Sequence, residues 1–179
     1  SDDQFAIIQE GWAGNPVPVP VPKRNLAFAT ATGWPTRWTN PDSEDARIAL
    51  ALYREGRNSE EASLISYAVL SYFKIIEIRH PRAPDVKQWI SKNFDFIKQQ
   101  SESDFVMTRF LDSCGGVSPA DYIDKACRVA VAHASVQYRS DADDADEISR
   151  LYSAAQILRL LARRLISQEL GVTDDLYTA

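Results

Sequence analysis

The sequence predicts an all-α fold: an up-and-down bundle of about five helices behind an extended, Pro-rich N-terminal arm. Three observations carry the prediction. Apolar residues after residue 40 recur at helical spacing, as in Leu151, Ala154, Ala155, Leu158, Leu161, Ala162 and Leu165. Two segments open with a capping residue followed by Pro, Asn40-Pro41 and Ser118-Pro119. Strand signals after residue 40 are few, and a chain of 179 residues that is 45% hydrophobic can bury one core.

Residues 1–40 read as the arm and 41–179 as the bundle. Phe5 to Ile8 is apolar and could make one short strand. The run Pro16-Val17-Pro18-Val19-Pro20-Val21-Pro22 cannot form helix or central strand, because each Pro lacks an N–H and fixes φ. It suits polyproline II. Such a segment could be a ligand for a proline-recognition domain. Val at alternate positions, with Trp12, Trp34 and Trp38 nearby, points instead to an arm laid on the domain's own surface.

The first helix is expected from Asn40-Pro41 to about Glu55, with Asp42, Glu44 and Asp45 at the positive end of its dipole and Gly56 as its stop. Asn58-Ser59-Glu60-Glu61 should open a second helix running to about Ile78. Its residues Leu64 to Ile76 are apolar nearly all round, which makes it central; Lys74 and Glu77 are the exceptions. A third helix is expected from Asp85 to about Lys98, then a connector over 99–117 with a short turn near Phe105 to Leu111. The fourth should start at Ser118-Pro119 and reach about Ala134. The last should start within 141–147, run to about Glu169 and stop at Gly171.

Charge and composition narrow the function. Twenty Lys and Arg against 25 Asp and Glu give −5, which argues against broad phosphate contacts to a duplex and against a membrane surface. No apolar run reaches the roughly 18 residues of a spanning helix. The opening Ser1-Asp2-Asp3 is acidic where a signal peptide would be basic. Two cysteines, Cys114 and Cys127, are too few for a disulfide-built module, so the expected location is cytoplasmic.

No phosphate-binding Gly loop, dinucleotide fingerprint, Cys-x-x-Cys or nucleophile elbow is present, and no cofactor is expected. Cys114, Cys127, His80 and His133 match no zinc spacing, so no metal is expected. The acidic run 141–147 lacks the Gly and closing Glu of a calcium loop and suits a helix start. Arg159 and Arg163 share a helix face, with Arg164 beside them, and read as a solvated face.

The segment Cys127-Arg128-Val129-Ala130-Val131-Ala132-His133-Ala134 is the best candidate site. Arg128 can hold a phosphate bidentately, and His133 can move a proton near neutral pH. Together they suit attack of a 2′-hydroxyl on the adjacent phosphate, with no metal. Five residues apart on an ideal helix, they stand about 140° from one another. They converge only past a helix end or where two chains meet. The competing reading pairs Arg128 with a buried Glu77 and leaves His133 at a helix C-terminus. Losing Arg128 would then cost about 3–5 kcal/mol.

Arg128 to His133 fits R-x4-H and resembles the motif of the HEPN superfamily, helical bundles that are often metal-independent RNases built as dimers. Ala49-Leu50-Ala51-Leu52-Tyr53-Arg54-Glu55-Gly56 and Leu70-Ser71-Tyr72-Phe73-Lys74-Ile75-Ile76-Glu77 are similar to the paired early helices of the MauJ-like family of HEPN-like proteins. The resemblance covers about residues 46–170. It implies Arg128 and His133 as the catalytic pair, with Glu77 and Lys74 as supporting polar groups. It further implies a homodimer cleft acting on or binding single-stranded RNA. Active HEPN RNases often carry Asn, Asp or His after the motif Arg, where this chain has Val129. The alternative implied is a non-catalytic bundle that binds a protein partner or a ligand, accessory to amine metabolism.

Overall fold

The computed structural model describes residues 43–100, 104–132 and 144–172, and every regular element among them is helical. The expected arm, its strand and its polyproline run lie outside the described residues. Six helices follow in order: α1 Glu44–Glu61, α2 Ile65–Arg79, α3 Ala83–Gln100, α4 Asp104–Cys114, α5 and α6 Ala145–Glu169. The backbone of α5 is α-helical at Pro119–Tyr122, π-helical at Ile123–Val129 and α-helical again at Ala130–Ala132. The all-α bundle is as the sequence predicts.

α2 and α6 are its spine. Tyr72, Ile75 and Ile76 of α2 and Leu151, Ile157, Leu158, Leu161 and Leu165 of α6 are fully buried. Burying side chains of this size contributes about 1.5–3 kcal/mol each, so these two helices hold most of the core. α1 folds back along α2, placing Arg79 3.3 Å from Asp45 at the far end of the pair. α3 and α5 meet where Lys87 reaches both Asp121, at 3.0 Å, and Asp124, at 2.9 Å.

Local signals set several boundaries. Ser118 caps α5 by accepting from the Asp121 N–H, with Pro119 at the first position. Asp144 caps α6 by accepting from the Asp146 N–H, so the first-turn acids Asp146 and Glu147 are helix-start residues. α6 ends at Glu169, and Gly171 follows with φ +67°.

Three boundaries differ from the sequence reading. α1 starts at Glu44 with Ser43 as its cap, three residues after the Asn40-Pro41 signal. It then continues through Gly56 and through Asn58-Ser59-Glu60-Glu61, which do not open α2. The real stop is Ser63, in the left-handed region at φ 60°. There the Leu64 N–H bonds the Ser59 carbonyl and the Ser63 N–H bonds the Glu60 carbonyl, the Schellman closure with Ser where Gly is usual. The third difference is α4: most of the expected connector is an 11-residue helix, anchored by buried Met107, Phe110 and Cys114.

Candidate functional site

Arg128 sits in the π-helical stretch of α5, and Glu77 and Phe73 sit one turn apart on α2. The Arg128 Nη2 donates to Glu77 Oε1 at 3.2 Å. Its guanidinium carbon stands 5.4 Å from the centre of the Phe73 ring. Arg128 therefore lies between a carboxylate and an aromatic face, a charge-assisted hydrogen bond on one side and a cation–π contact on the other. The two charged side chains are 33% and 34% exposed. Glu77 is thus half-buried, not buried. Stripping Arg128 from it costs about 1 kcal/mol, far less than for a buried charge. Lys74 is exposed on α2, and His133 lies outside the described residues.

The π-helical stretch has a visible partner. Arg150 of α6 reaches into α5 and donates from Nη2 to the Ala126 carbonyl at 2.8 Å and from Nη1 to the Tyr122 hydroxyl at 2.8 Å. The same guanidinium takes Glu147 in a fork, at 2.7 and 2.6 Å. A side chain held against the backbone ladder goes with widened turns. The angle of about 140° that an ideal α-helix would set between positions 128 and 133 therefore does not apply up to Val129. Burial works against the Arg150 charge, but the Glu147 and Tyr122 hydrogen bonds outweigh it and hold its pKa above the ordinary value. Only the Glu147–Arg150 spacing hinted at this network in the sequence. Which carbonyl the arginine would reach is a tertiary fact.

Cys127 lies inside the same stretch, fully buried, and burial pushes its thiol up to about 12. It is a packed core side chain and not a nucleophile. Cys114 is likewise buried, its thiol pushed up to about 11. Among the described residues no three His, Cys, Asp or Glu side chains are grouped to hold a metal.

A second polar cluster closes the C-terminal end of α2, one turn past Glu77. His80 Nε2 is 3.3 Å from Glu169 Oε2, and the Trp89 indole N–H donates to the other oxygen of that carboxylate. The imidazole lies 5.7 Å from the Trp89 ring. His80 thus joins the ends of α2 and α6 to α3.

No helix among the described residues is long and apolar enough to cross a membrane. No curated protein and no solved structure matches the chain. The family model described as methylamine utilization protein MauJ matches residues 49–167, which run from α1 through α6 and include Lys74, Glu77, Arg128 and His133. With well over half of its length matched, the chain belongs to the methylamine utilization protein MauJ family.

Proposed function

We propose that this chain is a HEPN-like binding module in which Arg128 ties α5 to α2, in a role accessory to amine metabolism of the kind the family description names. The observation that carries this reading is the Arg128 guanidinium held between Glu77 and Phe73. An arginine that stabilises a reacting phosphate needs its charge free for that phosphate. Here a carboxylate 3.2 Å away answers the charge and repels phosphate oxygens. Val129 offers no polar group beside it.

A second reading, metal-independent RNA cleavage across a homodimer cleft, is favoured by one observation. Arg128 is one-third exposed and lies on a π-helical turn, a conformation frequent at functional sites. In this reading Arg128 holds the phosphate, His133 transfers the proton, and Glu77 and Lys74 support them. Both readings keep a cytoplasmic homodimer.

The test is to incubate the purified chain and its His133→Ala variant with unstructured RNA in EDTA, and to size both on a column. Intact RNA with a folded wild-type dimer is the expected result. Cleavage by the wild type that disappears in the variant overturns the binding-module reading and establishes the second.

A further inference from the structure

Two carbonyls record where α5 leaves the α-helical ladder. In an α-helix the Ala130 N–H would donate to the Ala126 carbonyl. Here it donates to the Cys127 carbonyl instead. The Ala126 carbonyl is taken by Arg150 Nη2 of α6, at 2.8 Å. A guanidinium thus fills the place of a backbone donor, inside the π-helical stretch Ile123–Val129. Such stretches are rare in globular proteins and frequent at functional sites.

Arg150 is held firmly in that place. Glu147, its side chain 13% exposed, takes the guanidinium in a fork. Nη1 donates to the Tyr122 hydroxyl and stands 3.5 Å from Cys127 Sγ. One side chain therefore touches the residue just before the stretch and two residues in its middle.

The consequence falls on Arg128. A π turn closes i→i+5 in place of i→i+4, which adds one residue to the turn. Side chains beyond it stand about one residue's rotation, roughly 100°, from where an α-helix with the same start would put them. The start of α5 is fixed independently: Lys87 of α3 holds Asp121 at 3.0 Å and Asp124 at 2.9 Å. Arg128 is the sixth of the seven π-helical residues, past most of the widening. In this register its guanidinium lies 3.2 Å from Glu77 Oε1 and over the Phe73 ring.

We propose that Arg150 is the positioning residue of the Arg128 site: it holds α5 in the π register, and in the α register Arg128 turns away from Glu77 and Phe73. The two registers compete for one carbonyl, because the Ala130 N–H takes Ala126 when the guanidinium leaves it. The inference deepens the proposed function and rests on Arg128 tying α5 to α2. Its experiment reads that tie without RNA, so the two can fail separately.

The test is urea unfolding of the full chain, with Glu77→Gln made both in the parent and in Arg150→Met. Glu77 and Arg150 bond different groups on α5, and effects at such separated positions ordinarily add. Glu77→Gln is expected to lower the folding constant about fivefold in the parent and to leave it unchanged in Arg150→Met. Asp121→Asn, which weakens the Lys87 contact ahead of the stretch, should have the same effect in both backgrounds. Deleting Ala126 from Arg150→Met takes out the extra residue and should restore the effect of Glu77→Gln. An equal effect of Glu77→Gln with and without Arg150 overturns the proposal. Loss of the Asp121→Asn effect as well means that α5 detaches whole, which overturns it too. So does a deletion that restores nothing. If Arg150→Met does not fold, Glu147→Gln is added to it, which removes the carboxylate left without a partner, and the same outcomes decide.

Discussion

Gly56 of α1 packs directly against the ring of Tyr72 on α2: a Cβ at position 56 would stand 2.4 Å from Tyr72 Cε1 and 2.7 Å from Cζ. Glycine inside a helix costs about 1 kcal/mol relative to alanine, and the close approach of the two helices is what offsets it here. Gly56→Ala should therefore lower stability by about 1–3 kcal/mol despite the better helix propensity of alanine, because the ring and its helix must shift. A urea midpoint equal to that of the wild type would show that the Tyr72 ring moves aside freely.

At the next turn the expected sign reverses. Ser63 holds a left-handed conformation that an L side chain adopts at a cost of about 1–2 kcal/mol. Ser63→Gly should raise stability by about 0.5–1 kcal/mol, since the Schellman closure is kept and the strain is removed. Thermal melting checks this. A lower midpoint would mean that the Ser63 side chain contributes more than its backbone costs.

Arg150 should be the least replaceable arginine of the bundle. Arg150→Ala leaves Glu147, whose side chain is 13% exposed, without its partner and strips a donor from the Ala126 carbonyl. A loss of about 3–5 kcal/mol is expected, against about 1 kcal/mol for Arg128→Ala. Arg150→Lys should recover little, because a lysine cannot take Glu147 in a fork and also reach Tyr122 and Ala126. Urea titrations of the three variants rank them, and equal losses for Arg128→Ala and Arg150→Ala would contradict the burial argument.

Alkaline pH should unfold the protein in a particular window. The Cys114 and Cys127 thiols are raised from 9.0 to about 11 and about 12 by burial, and burial also raises the phenols of Tyr53, Tyr72 and Tyr122. Each folded-state pKa lies above the unfolded one. The stability these groups contribute is therefore complete below about pH 9 and falls as pH rises from there through the folded values. Denaturation midpoints at pH 7, 9 and 11 test the slope. In addition, iodoacetamide at pH 8 should alkylate neither cysteine until urea unfolds the chain.

The legible parts of this fold are those with local causes. Ser118-Pro119 marked the start of α5, because a capping oxygen and a pre-set φ act within one turn. The apolar run through Tyr72 and Ile76 marked α2 as central, because a helix with almost no polar face has to be enclosed. Glu77 was legible as a partner for Arg128 because it is one of only two charged side chains in that run. The degree of its burial was not, since exposure depends on what packs around the pair.

Local residue chemistry alone was enough to determine the helical bundle of the described residues, its central helix, the Ser118 and Asp144 starts and the Gly171 stop, and to offer Glu77 as one of two readings for Arg128. Tertiary packing decided the rest. Gly56 reads as a stop until the Tyr72 ring is placed where its Cβ would be. Ser63 ends the helix because α1 must turn back along α2 there, although its identity signals nothing. The π-helical turns carrying Arg128 accompany an arginine 22 residues further along, which meets the Ala126 carbonyl only once α6 has packed on α5. Capping and periodicity act over a few residues and are written in them. Close approach, burial and a guanidinium reaching another helix depend on distances that exist only in the folded chain.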